Sequence, residues 1–154
     1  MTNPDRSAYE RGVAMRRQVL GDDHVNRSMA DASEFSRPVQ DLVTEYIWGS
    51  VWTREGLDLR TRSLLNLVML TALGRMHEFR VHVRGAINNG CTPLQIREAL
   101  VQTAVYCGAP AALESFRAAE QVMAQLSADG AALADEDAAL SDDGAGVTEE
   151  RAGD

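Results

Sequence analysis

The chain contains no lysine; all 15 of its basic residues are arginine. That absence excludes any mechanism that condenses a lysine amine with a carbonyl, on substrate or on a pyridoxal cofactor. Cysteine is scarce as well. Cys91 and Cys107 form neither a CxxC pair nor a disulfide framework, which points to a reducing cytoplasm. Aromatic residues are only 5% of the 154 positions, so the core has to rest on Leu, Val, Ala and Met. No apolar run approaches the roughly 20 residues of a membrane span, and no membrane association is expected. The opening residues, Met1-Thr2-Asn3-Pro4-Asp5-Arg6, lack the basic-then-apolar pattern of a signal peptide. A basic excess is missing too. From Ser127 onward there are nine acids and one base, which is the whole net charge of −8, and the body before it carries 14 of each sign. Nothing there would neutralise phosphates, so nucleic acid is not an expected partner.

Metal and nucleotide chemistry also lack a foothold. His24, His77 and His82 are the only histidines, and His77 and His82 are five apart, off the i,i+4 face of a zinc helix. No metal site and no cofactor are expected. GxSxG, P-loop and dinucleotide fingerprints are absent.

What the chain does have is helical periodicity without strand alternation, so it reads as all-α with five to seven helices. Residues 4–19 form a loosely amphipathic first helix that Gly21 terminates. A loop with His24, Asn26 and Arg27 follows. Pro38 opens a second helix, Val39 to Gly49, with Tyr46, Trp48 and Trp52 near its end. Residues 58–74 read as the central helix, N-capped by Asp58. It is apolar on every side and therefore expected to be buried on every side. Arg62 and Asn66 interrupt that surround, and a buried Arg requires a partner or a ligand. Thr92-Pro93-Leu94-Gln95 is a capping box with proline at the first helical position, the sharpest boundary in the chain. That helix runs to Cys107, Gly108 stops it, and Pro110 opens the last one, to about Leu126. Residues 1–127 thus read as one helical domain and 128–154 as an acidic disordered tail with too little to bury.

The stretch Gly74–Gly90 carries the candidate chemistry. Met76, Phe79, Val83 and Ile87 form its apolar stripe, and His77, Arg80, Arg84 and Asn88 a solvated flank. Arg75, Glu78, His82, Gly85 and Asn89 share the other flank, where Gly85 and Ala86 let a neighbouring backbone approach. Glu78 and His82 stand at i,i+4. They form either a general acid/base unit, in which the carboxylate orients the imidazole and holds its proton near neutral pH, or an ordinary surface pair. Cys91 sits between two helix ends. It is either a thiol of lowered pKa or a small buried apolar residue. Trp48 and Trp52 can be core, subunit contact or ligand platform.

With these residues in view, the chain resembles the γ-carboxymuconolactone decarboxylases over about residues 7–126. The likeness rests on Val19-Leu20-Gly21 with His24-Val25-Asn26-Arg27-Ser28, Trp48-Gly49-Ser50-Val51-Trp52, and Thr61-Arg62-Ser63-Leu64. It continues through Ala72-Leu73-Gly74-Arg75 with Glu78 and His82, then Asn88-Asn89-Gly90 and Tyr106. The wider superfamily includes alkyl hydroperoxidase D-like proteins, which use a CxxC followed by His. Here His82 keeps the His position, and Arg75 and Glu78 precede it with no Cys. The resemblance implies an all-helical subunit in a ring-like homo-oligomer, a hexamer. It implies a cytoplasmic, cofactor-free enzyme of the protocatechuate branch of the β-ketoadipate pathway. Its substrate is a small dicarboxylate lactone, 4-carboxymuconolactone, converted to 3-oxoadipate enol-lactone and CO2. The roles that follow are His82 as proton donor, Glu78 as its orienting carboxylate, and Arg62 and Arg75 as carboxylate ligands. Asn89 and Trp48 complete the substrate contacts. Two rivals stand beside this reading: a thiol-linked redox protein that detoxifies hydroperoxides, and a non-catalytic helical assembly module.

Overall fold

The computed structural model describes residues 7–131 and 133–134, and every regular element among them is a helix. The helices are α1 (Ala8–Leu20), α2 (Asp22–Ala30), α3 (Arg37–Leu42), which continues as a π-helical turn (Val43–Val51), α4 (Leu59–Ala72), α5 (Met76–Asn88), α6 (Pro93–Cys107) and α7 (Ala109–Ala128). The all-α expectation holds. The expected tail lies outside the described residues except for 128–131 and 133–134, and Leu133 packs against the core.

Local chemistry explains most boundaries. Ser7 and Glu10 close a capping box on α1, and Asp58 Oδ1 accepts the Thr61 N–H at 2.6 Å to start α4. Thr92 and Gln95 close the box on α6 as the sequence requires. Gly90 adopts φ 83°, which lets the Cys91 N–H turn back to the Ala86 carbonyl and end α5. Two segments differ from expectation. The stretch after Gly21 is a helix, not a loop. Asp22 and Asp23 favour the positive end of its dipole, but only Val25 is buried, so it has almost no apolar period to read. The helix after Pro38 runs past Gly49 because it widens to i→i+5 bonding, as in Trp52 N–H to Ile47 O at 2.9 Å.

The main core lies among α4–α7, with Leu67, Phe79, Val83, Ile96, Leu100 and Val122 at its centre. A smaller cluster of Val19, Trp48 and Trp52 holds α1 and the π turn together. Those two segments meet backbone to backbone. A Cβ on Gly12 would overlap the Thr44 carbonyl, and one on Gly49 the Ala8 carbonyl.

Helix α4 corrects the sequence reading. Its buried face is Ser63, Leu67 and Thr71, with Thr71 and Ser115 hydroxyls 2.8 Å apart. Its leucine-rich flank faces outward, with Leu65 46%, Met69 54% and Leu73 71% exposed in the single chain. An all-apolar surround says that every side wants cover but not which sides this chain supplies.

Candidate active site

The cleft containing His82 is built from α1, α2, the continuous α3–π helix and α5. Helix α1 contributes Arg16 one turn beyond Gly12, the π turn contributes Trp48 beside Gly49, and α5 contributes Glu78 and His82. The recess measures about 490 Å³. His24, Arg27, Ser28 and Asp31 come in from α2, and His77 from the start of α5.

His82 lies beside a stacked pair of indoles rather than in a surface pair. Its ring is 6.0 Å from Trp48 and 6.1 Å from Trp52, centroid to centroid, and the two indoles stack at 4.8 Å. Its hydrogen-bond partner is Asn66 on α4, whose Nδ2 lies 3.0 Å from His82 Nδ1. An amide nitrogen donates, so with Asn66 in this orientation Nδ1 accepts and the neutral ring carries its proton on Nε2. Burial pushes His82 down to about 4, with the His24 charge acting the same way and Glu78 opposing both. The sequence reading, in which Glu78 holds the imidazole near neutral pH, is therefore corrected. Glu78 is exposed and acts on the ring as a charge, while Asn66 makes the contact.

Among the cleft's arginines and carboxylates, Arg16 is buried while Asp31 and Glu78 are exposed. Burial lowers the pKa of His24, and Arg16, Arg27 and His77 lower it further by their charges. Asp31 and Glu78 are the carboxylates of the lining, and both are exposed. Arg16 is 7% exposed and is held by neutral oxygens alone. Its Nη1 donates to Gln40 Oε1 at 3.2 Å and Thr44 Oγ1 at 3.2 Å, and Nη2 to Ser28 Oγ at 2.8 Å. Buried and short of a counter-charge, such a group favours an anion.

The sequence-predicted site residues are distributed unevenly. His82, Glu78 and Trp48 meet in the cleft. Arg62 lies outside its lining, with Nη2 donating to the Arg54 carbonyl at 2.9 Å and Nε buried without a partner. Arg75 is exposed at the N-cap of α5. Asn89 ties α5 to α4, donating to Ser63 Oγ at 2.9 Å. Sequence reasoning missed Arg16 altogether and saw His24 and Arg27 only as loop residues. One signal for Arg16 existed, because Gly12, Arg16 and Val19 form the buried stripe of α1 at i, i+4, i+7. Cys91 is buried with Sγ near the Arg60 carbonyl, and burial pushes its thiol up to about 12. It behaves as a small apolar residue.

Residues 37–121 match the carboxymuconolactone decarboxylase family. The chain is 46% identical over 110 residues, 71% of its length and 77% of the relative's, to the nitrosuccinic acid decarboxylase npaB of Metarhizium robertsii. It is 38% identical over 122 residues, 79% of its length and 91% of the relative's, to the 4-carboxymuconolactone decarboxylase of Acinetobacter baylyi. The chain is thus a carboxy-lyase. The chain belongs to the carboxymuconolactone decarboxylase family.

Proposed function

We propose that the chain converts 4-carboxymuconolactone to 3-oxoadipate enol-lactone and CO2, in the protocatechuate branch of the β-ketoadipate pathway in the cytoplasm. The observation that carries this reading is the cleft itself. A titratable ring beside two stacked indoles shares a recess with a buried guanidinium that has no carboxylate of its own.

The substrate brings its own electron sink. Loss of CO2 from the γ carbon leaves an electron pair that the ring double bond delocalises onto the lactone carbonyl as a dienolate. Neither a Schiff base nor a metal is needed to hold it. The protein has to bind a dianion, stabilise charge at the lactone oxygen and supply one proton to the α carbon. A neutral imidazole is a poor acid, and His82 is neutral in the empty cleft. Arrival of two carboxylates places negative charge beside the ring, which raises its basicity against the desolvation that lowers it. His82 therefore takes up a proton as substrate binds and delivers it to the dienolate after CO2 leaves. Dianion plus proton gives CO2 plus the monoanionic product, and His82 returns to the neutral form. Glu78 favours the protonated ring, Asn66 orients it, and Trp48 walls the reacting face. Carboxylate binding, assigned from sequence to Arg62 and Arg75, falls in this reading to the cleft's own cations.

The direct test is to incubate the protein with 4-carboxymuconolactone and follow CO2 release and the ultraviolet change on enol-lactone formation. A flat trace with folded protein sinks the proposal. A second substrate belongs in the same experiment because of the 46% identity to a nitrosuccinic acid decarboxylase. Nitrosuccinic acid is also a dicarboxylate whose leaving carboxyl sits beside an electron sink, there a nitro group. Faster turnover of nitrosuccinate moves the substrate to that compound and leaves the cleft chemistry in place.

The same reading includes a ring-like homo-hexamer. What supports assembly is the outward apolar flank of α4 and the exposed Val101, Val105 and Tyr106 of α6. Light scattering that gives a monomer mass would remove it. The thiol-redox alternative has little support from a Cys91 thiol pushed up to about 12.

A further inference from the structure

The notable group in the cleft is Arg16, because three hydrogen bonds leave two of its five N–H donors without a partner among the described residues. A guanidinium has five N–H donors. The two on Nη1 are taken by Gln40 and Thr44 and one on Nη2 by Ser28. The N–H of Nε is buried with no partner, and the second N–H of Nη2 makes no protein bond. Nε and Nη2 form the side-on fork that matches the two oxygens of a carboxylate. Three bonds to two segments, α2 and the continuous α3–π helix, fix the guanidinium in place, so little side-chain entropy is lost when a ligand arrives. No carboxylate of the described chain lies within ion-pair distance of it.

We propose that Arg16 is the anchor for the carboxylate that stays on the product, and that the site therefore selects dicarboxylates. This rests on the decarboxylase reading above and deepens it. The choice between the two carboxylates follows from energetics. A rigid buried cation on the departing carboxylate would stabilise a charge that must vanish as CO2 forms, holding the ground state more than the transition state. On the retained carboxylate the same bond is constant through the reaction and serves only to position. The departing group is then left to the side of the cleft walled by the Trp48 indole, where charge is poorly solvated and its loss is favoured.

The test pairs Arg16→Gln with a substrate lacking the retained group, the lactone whose carboxymethyl arm is replaced by methyl. On 4-carboxymuconolactone, Arg16→Gln should lower kcat/KM by about 10²-fold or more, chiefly through KM. On the methyl lactone, which the wild type turns over slowly, the same variant should change kcat/KM by less than about threefold. Arg16→Lys keeps the charge without the fork and should fall between on the first substrate only. It carries the test if Arg16→Gln does not fold. Equal losses on both lactones would assign Arg16 a structural role and overturn the proposal, as would no loss on either. If the wild type turns over neither lactone, the decarboxylation reading fails and Arg16 is judged separately, by calorimetry with the inert probes succinate and butyrate. The anchor stands if the wild type prefers succinate and Arg16→Lys loses that preference. It falls if the wild type has no preference or the variant keeps it.

Discussion

Two recesses on this chain invite opposite expectations. The groove between α4 and α6 is the more spacious, about 880 Å³, and Leu64, Leu65, Val68, Leu94 and Val101 dominate its walls. The cleft between α1, the π turn and α5 is about 490 Å³ and holds two arginines and three histidines. Size alone would favour the groove as a ligand site. Chemistry favours the cleft, because of the two it is the one lined by both a buried cation and a strongly shifted ring. The groove has the composition of a surface awaiting another surface, and volume records missing cover as readily as it records a substrate.

The sharpest way to break that contrast is a pair of variants. His82→Gln should cost about 10²–10⁴ in kcat, the usual contribution of a positioned proton donor. Leu65→Gln in the groove should shift the assembled mass and leave the monomeric cleft's binding of succinate within about twofold. A groove variant that abolished succinate binding would reverse the assignment. Next in size is the crossing of α1 with the π turn. Gly12→Ala forces a methyl into the Thr44 carbonyl and should destabilise by about 1–3 kcal/mol or more in thermal or denaturant unfolding. Activity at a permissive temperature should fall with it, because Arg16 and Trp48 both ride on that crossing.

A smaller effect concerns pH. The folded His82 titrates at about 4 against an ordinary 6.5, so between those values the unfolded chain binds more protons and stability rises with pH. Acidification through that window should remove on the order of 2 kcal/mol, His24 adding in the same direction. His82→Gln should flatten most of the slope, and an unchanged slope would mean that the ring is not desolvated. The smallest effect belongs to the thiols. Cys107→Ser, at an exposed position, should leave turnover within about twofold of wild type.

Sequence legibility followed the range of the interactions. The Thr92–Gln95 capping box spans four residues, and the Gly90 turn is equally local, so both could be read directly. The Glu78–His82 spacing put both residues in one recess. It could not reveal that Asn66, 16 residues away, takes the ring nitrogen, or that two indoles bury the ring enough to neutralise it. The partners of Arg16 were illegible for the same reason, since they lie 12, 24 and 28 residues along the chain. The π turn had no sequence marker either. Its i→i+5 register emerges only where Gly12 and Gly49 bring two backbones together.

That glycine crossing sets a gauge. Arg16 is one turn past one glycine and Trp48 adjoins the other, so the gap between anchor and ring wall is fixed by main chain meeting main chain. Enlarging or trimming side chains can reshape the cleft's rim, but it cannot lengthen that gap. A sequence drifting under selection for a new substrate would keep the ruler and change what is measured against it: acids whose two carboxylates are separated by the same span, whatever electron sink lies between them.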